Sequence, residues 1–266
     1  MLVSIFIPTY NATKCIDATL QSVLSQTYAN IEVWLVDDKS TDDTVAKLEE
    51  WQKKDSRVHV LAKEQNEGFV PFSWNRVFPV LKGEFALYMS HDDSLSEDCI
   101  EKLVAKQNET GADAVIPDCV FDYEDGRKIS SNLSDTTLTR KQAFAQMLNY
   151  DIPAFALWRT ALIKKIGMPT EAWNSDEGMQ RIWALNCKKG IALCPEAKFY
   201  YYLTNASITK GLKPYHKTGL KTQKRLFKAC LSSGICVTYP KLFLRFMKQY
   251  IKSYIYLRFN NKGTTL

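Results

Sequence analysis

The chain predicts an α/β protein: one mixed sheet, parallel in its first half and flanked by helices, followed by a basic helical extension. Three observations predict it. Short runs rich in β-branched and aromatic residues alternate with stretches of helical periodicity over the first hundred residues. The polar and acidic residues that interrupt this pattern fall where the short runs end. No Gly-, Ser- or Pro-rich linker divides the 266 residues, of which 45% are hydrophobic, enough to bury one sizeable core.

The elements follow in order. Residues 2–7 are apolar but few, carry no basic leader and run into Pro8, so they read as a strand and not as a signal peptide. Further strands are predicted over 31–36, 58–61 and 85–89, with helices between them over 12–26, 41–53 and 69–81. Ser40-Thr41-Asp42-Asp43 has the form of a capping box for the second helix. Such a βαβ series places ligands beyond the carboxyl ends of the strands. From Asp113 onward the pattern becomes mixed, with strands over 114–118, 191–194 and 198–202 and helices over 140–149 and 177–189, packed on the same sheet. Thr139 with Gln142 caps the first of these helices.

Seven cysteines, odd in number and scattered without a C-x-x-C, indicate neither a disulfide framework nor a zinc knuckle, and a reducing cytosol fits them. No segment is long and apolar enough to span a bilayer. The net charge of +6 conceals a split: Glu196 is the last acidic residue, and 14 Lys and Arg follow it. Such a split points to a surface that lies against something anionic.

Chemistry gathers at the strand ends: Pro8-Thr9-Tyr10-Asn11, Asp37-Asp38 and Ser90-His91-Asp92-Asp93. Adjacent carboxylates at a strand exit repel each other unless a cation sits between them, and a hard divalent ion bridging to phosphate is the common solution. Each motif alone has an ordinary explanation. Asp37-Asp38 before Ser40 can be turn chemistry, and Asp92-Asp93 or Asp176-Glu177 can open a helix. Their joint occurrence at strand ends favours a site. His91 reads as a spacer, because hard cations prefer oxygen. A dinucleotide-dependent oxidoreductase would use the same alternation but is a poor reading, since no G-x-G-x-x-G follows the first strand.

Taken in order, Ile7-Pro8-Thr9-Tyr10-Asn11, Gln26-Thr27-Tyr28, the stretch from Val36 to Asp42, Asn66-Glu67-Gly68, Gly83-Glu84 and Ser90-His91-Asp92-Asp93 resemble the signature of inverting family 2 glycosyltransferases. Asn174-Ser175-Asp176-Glu177 and the stretch from Tyr200 to Thr209 resemble the C-terminal half of bacterial members that build capsule, lipopolysaccharide or exopolysaccharide. The resemblance implies a GT-A fold with one Rossmann-like sheet: a donor-binding half over 1–112, an acceptor-binding half over 113–215 and a basic amphipathic helical extension over 216–266. It implies transfer from a UDP-sugar, with inversion, to a glycan or polyprenyl-lipid-linked acceptor. Asp92 and Asp93 would hold Mg²⁺ or Mn²⁺ on the diphosphate. Asp38 would accept from the uracil N–H, Pro8, Thr9 and Tyr10 would wall the nucleoside, and Asn66, Gly68 and Ser90 would complete the donor site, while Asp37 would hold its loop. The general base would be Asp176 or Glu177; position favours Glu177, but the usual order of the two carboxylates is reversed here.

The chain departs from the family pattern in three places. Ser90 replaces an aspartate, Lys39 replaces a glycine, and Ser73-Trp74-Asn75-Arg76-Val77 stands for Ala-Arg-Asn-x-Gly. Arg76 or Lys63 is expected to compensate near the donor for the charge that Ser90 lacks. The departures also keep open a second reading, a catalytically inactive sugar-nucleotide-binding protein of the same fold. In the extension, a helix over 242–259 places Lys241, Arg245, Lys248 and Lys252 in one stripe, with Phe243, Met247, Tyr250, Tyr254 and Leu257 opposite. That is an interfacial pattern, and it predicts a cytoplasmic protein attached peripherally to the inner leaflet of the cytoplasmic membrane. The competing reading is a helix packed on the domain with a solvated basic face. No nucleic-acid-binding module is recognised, and Lys210, Lys213 and His216 form a candidate loop over the donor pyrophosphate.

Overall fold

Along the first strand, β1 (Val3–Thr9), side chains alternate between two apolar layers: Val3, Ile5 and Ile7 enter one, Phe6 the other. The computed structural model of the protein describes residues 1–68, 70–168, 175–203 and 217–260, with side chains throughout except at 175–177, 217–219 and 256–260. Parallel to β1 lie β2 (Ile31–Asp37) on one side and β4 (Phe85–Tyr88) on the other, and β3 (Val58–Ala62) pairs with β2 beyond. Strand order in the described sheet is β3-β2-β1-β4-β9-β6-β10-β5, where β5 is Ser94–Leu95, β6 Ala114–Tyr123, β9 Leu157–Arg159 and β10 Ile191–Leu203; β7 (Lys128–Ser130) pairs β6, and β8 (Thr136–Leu138) pairs β10. The chain winds outward from β1 to β3 and then returns to β1's other side, so the β1/β4 boundary is a topological switch point. In open α/β sheets such a point, beyond the carboxyl ends of the strands, is where ligands bind.

The helices α1 (Ile16–Leu24), α2 (Thr44–Lys54) and α4 (Cys99–Thr110) cover one face of the sheet with Ile16, Leu20, Leu48 and Leu103. The other face is covered by α3 (Val70–Val77), α5 (Arg140–Asn149), α6 (Thr160–Ile166) and α7 (Ser175–Asn186), where Trp74, Trp158 and Trp183 meet Phe6 in an aromatic core. Gly83, in the turn before β4, leaves no room for a side chain: a Cβ there would stand 2.6 Å from the Ser4 backbone nitrogen.

The expected α/β architecture, with a mixed second half on the same sheet, is what the structure has, and the Thr139–Gln142 capping box forms as expected. The Ser40 capping box does not form. Asp37 draws Ser40 into its own loop, accepting from the Ser40 N–H and hydroxyl, and α2 starts instead after Asp43. The two strands expected over 191–202 are one, β10, with its register shifted between Cys194 and Lys198, where Pro195 cannot donate to the ladder. Asp92-Asp93 does not open a helix, since α4 begins only at Cys99.

The C-terminal part consists of α8 (Lys217–Ser232), α9 (Ile235–Thr238) and α10 (Pro240–Asn260). It docks on α5 and α7 through Phe144, Leu148, Leu185, Leu226, Ile235 and Phe246. Phe243 and Tyr250 of α10, expected to face a bilayer, stack on Phe227 of α8 at centroid distances of 5.5 Å. Those two residues therefore pack within the protein, while Tyr254 of the same side stays 44% exposed and Leu257 lies outside the described side chains. No described helix is long and apolar enough to cross a membrane.

Candidate active site

The loops after β1, β2 and β4 meet at the switch point because a small set of side chains ties them together. Thr9 ends β1 buried, and its hydroxyl donates to Asp37 Oδ1 at 3.0 Å across the β1–β2 register. Asp37, fully buried, also receives the Ser40 N–H at 2.8 Å, so it holds its loop. Lys39 follows with φ of 62°, the left-handed conformation that glycine adopts freely, which explains why the family places glycine there. Tyr10 lies just beyond β1 and is 44% exposed.

Asp38 fastens a second loop. Its Oδ1 accepts from Lys63 Nζ at 3.0 Å and from the Glu67 N–H at 2.9 Å, and its Oδ2 accepts from the Gly68 N–H at 2.9 Å. Three acceptor positions of four are used, and Oδ2 retains capacity for one more donor. Gly68 adopts φ of 61° to make this turn, and Asn66 stands exposed on it. Lys63, with 1% of its side chain exposed, also pairs with Glu67 at 2.8 Å, and Arg76 pairs with the other Glu67 oxygen at 3.1 Å. Arg76 and then Lys63 hold the Glu67 carboxyl below its usual range. Both cations expected to compensate for Ser90 are therefore committed to Glu67 and Asp38, because burial of Lys63 demands paired carboxylates.

The loop after β4 separates its two carboxylates. Asp93 is 2% exposed; its Oδ2 accepts from the Ser90 N–H at 3.0 Å and its Oδ1 from the Tyr202 N–H at 3.3 Å. It braces the loop against β10, a role for which inward burial is required and in which each oxygen accepts one backbone N–H. Burial, reinforced by the Asp92 charge, pushes the Asp93 carboxyl well above the usual range. Asp92 is half-buried, and no described residue forms a hydrogen bond or ion pair with it. Its charge is felt at Cys15, where burial and then Asp92 raise the thiol to about 11. Of the two aspartates expected to ligate a metal, Asp92 is the one without a hydrogen-bond or ion-pair partner among the described residues.

Among the described residues no three His, Cys, Asp or Glu side chains group as a ready-made cage. One free carboxylate at a crevice nevertheless fits Mg²⁺ or Mn²⁺, which take their remaining oxygens from phosphates and water. Ser90 contributes a hydroxyl 3.4 Å from that of Tyr88, and His91 turns its Nδ1 to the Pro8 carbonyl at 3.3 Å, linking the β1 and β4 exits.

Two further residues position the site. The Thr19 hydroxyl of α1 lies 2.8 Å from both the His91 and the Asp93 carbonyls and clamps the loop; the signal in the sequence is a polar residue on the apolar face of α1. Asn75 exchanges two hydrogen bonds with the Met168 backbone, 2.7 and 3.1 Å, on the stretch leading toward α7. Asp176 and Glu177 fall in the first turn of α7, but their side chains lie outside the described residues, as do Asn174, Lys210, Lys213 and His216.

Comparisons with known proteins identify the family and the fold. The family model for glycosyl transferase family 2 matches residues 4–167. The chain is 26% identical to the glycosyltransferase GlyG of Streptococcus pneumoniae, over 94% of this chain and 87% of that protein. It is 40% identical over 92 residues to WfgD of Escherichia coli, a UDP-Glc:alpha-D-GlcNAc-diphosphoundecaprenol beta-1,3-glucosyltransferase, covering 35% of each. Residues 1–349 of Staphylococcus aureus TarS, solved with UDP-GlcNAc, superpose with a TM-score of 0.77 at 20% identity, over 97% of this chain and 73% of that one. The curated TarS, a poly(ribitol-phosphate) beta-N-acetylglucosaminyltransferase, is 27% identical over 77% of this chain, and the match spans 36% of its length.

Proposed function

Because the chain belongs to glycosyl transferase family 2, we propose that it moves a sugar from a UDP-sugar, with inversion, onto a glycan or lipid-linked acceptor in the building of a bacterial cell-surface polymer. The observation that carries the reading is the pair of carboxylates left available at the switch point: Asp38 with one acceptor position open, and Asp92 unpaired among the described residues. A UDP moiety presents complementary groups, an N–H on the base and two phosphates. Similarity to TarS, solved with UDP-GlcNAc, and to WfgD, named for a lipid-diphosphate acceptor, supports the donor and acceptor classes.

In this reading Asp38 Oδ2 accepts the uracil N–H, and Tyr10 with the Pro8 and Thr9 backbone walls the nucleoside; the Thr9 hydroxyl is already given to Asp37. Asn66 and Gly68 border the base, and Ser90 offers its hydroxyl to the ribose. Asp92 would hold the divalent cation, which when bound neutralises charge on the departing diphosphate. Asp93 keeps the Ser90–Asp92 backbone in place. Inversion requires a carboxylate opposite the leaving group that takes the proton of the acceptor hydroxyl, and Glu177 or Asp176 supplies it.

A donor screen reading UDP release, run on Glu177→Gln and Asp176→Asn separately, tests this. One of the two is expected to lose about 10²–10⁴ in rate while UDP affinity stays unchanged. Full activity in both contradicts the assignment, and UDP binding without transfer of any donor by the wild type would leave only a sugar-nucleotide-binding role.

A further inference from the structure

The function above uses the switch point and leaves the C-terminal helices without a task. Their packing turns Phe243, Phe246 and Tyr250 inward, yet α10 keeps a second apolar set outside: Leu244, Ile251 and Ile255 are 48%, 45% and 49% exposed. At about 100° per residue these three fall on one side of the helix. Lys248 and Lys252 lie between and beside them, and Lys241 and Arg245 continue the same arc of about 120°. All four cations are exposed; Arg245 donates to the Asn149 side chain, and Lys241, Lys248 and Lys252 form no ion pair among the described residues.

The neighbouring helix repeats the pattern. Lys221, Lys224, Arg225 and Lys228 of α8 recur at three- and four-residue spacing and are exposed, opposite the buried Thr222, Leu226 and Cys230. No acidic residue follows Glu196, and Lys221, Lys224 and Lys228 form no ion pair among the described residues. Two packed helices thus carry exposed cations, one of them with aliphatic side chains set among the charges.

We propose that this face binds an anionic phospholipid bilayer, with Leu244, Ile251 and Ile255 entering the headgroup region and the lysines on the phosphates. Charge complementarity selects an anionic partner. The aliphatic residues select a lipid surface over a nucleic acid, whose phosphates would leave them facing water. The surface differs from the one a helical wheel alone suggests, because Phe243 and Tyr250 of α10 are spent on Phe227 of α8. The proposal stands independently of sugar transfer.

Sedimentation of the full chain with vesicles tests it. Binding to phosphatidylcholine vesicles containing 30% phosphatidylglycerol is expected to exceed binding to pure phosphatidylcholine, and to weaken as salt is raised. Lys248→Glu with Lys252→Glu should lower partitioning at least about 25-fold, at about fivefold per cation lost. Leu244→Gln, Ile251→Gln and Ile255→Gln together should also abolish most binding, with an unchanged thermal melt because all three positions are exposed. Equal binding to neutral and anionic vesicles, or undiminished vesicle binding by the aliphatic triple variant, overturns the proposal. So does an affinity for a single-stranded RNA homopolymer that exceeds vesicle binding and survives the triple variant.

Discussion

Asp92 and Asp93 are chemically identical neighbours that burial separates: Asp93 is 2% exposed and Asp92 is half-buried. Asp93 accepts from the backbone N–H groups of Ser90 and Tyr202, one on each oxygen, whereas Asp92 has no hydrogen-bond or ion-pair partner among the described residues. Asp92→Asn is expected to cut turnover by about 10²–10³ with an unchanged melting temperature. Asp93→Asn turns an amide against one of two N–H donors and should cost about 1–3 kcal/mol of stability. Activity assays beside thermal melts of both variants check this, and the reverse pattern would exchange their roles. Lys39 makes a separate case. A lysine at φ of 62° carries the steric cost of its Cβ, so Lys39→Gly should raise stability by about 0.5–1 kcal/mol in urea titration. The sequence showed that this position departs from glycine but could not show the angle. It likewise marked both aspartates and not which one faces inward, because tertiary contacts from β10 decide that.

At the scale of elements, β9 is the piece that joins the halves of the sheet, antiparallel between β4 and β6. Three residues long, it has too short a pattern to read before folding, and its partners lie about 40 and 70 positions away in sequence. The first four strands were legible because each is apolar on both faces and closed by a helix pattern. What anchors β9 is polar. Arg159 Nε donates to Asp113 Oδ1 at 2.8 Å, and Asp113 Oδ2 accepts from the Lys188 and Lys189 N–H groups at 2.6 and 2.9 Å. Burial alone would raise the Asp113 carboxyl, but the N–H of Lys189, Arg159 and the N–H of Lys188 outweigh it and hold it below the usual range. A carboxyl depressed on folding stabilises the protein above its unfolded-state pKa, and that contribution fades as pH falls through the folded value. Asp113→Asn should therefore cost about 2–4 kcal/mol at neutral pH and flatten the acid limb of the stability profile below about pH 4. An unaltered acid limb would assign that limb to other carboxylates.

At the scale of the molecule, the winding of the sheet sets everything else. The order of the strands reverses at β1, and the Thr9–Asp37, Asp38–Gly68 and His91–Pro8 contacts draw three loops together at that point. Helical periodicity revealed that α10 exists, but 3.6-residue spacing does not distinguish a protein neighbour from a bilayer, so its inward face could be assigned only once α8 was seen beside it. In the proposed reaction Asp92 holds a divalent cation against the diphosphate of UDP. Titration calorimetry of UDP into the wild type and Asp92→Asn, with Mn²⁺ and with chelator, tests it most directly. The account predicts that Mn²⁺ tightens UDP binding to the wild type at least about tenfold, or 1.4 kcal/mol, and that Asp92→Asn loses the gain; equal UDP affinity with and without the metal would contradict it.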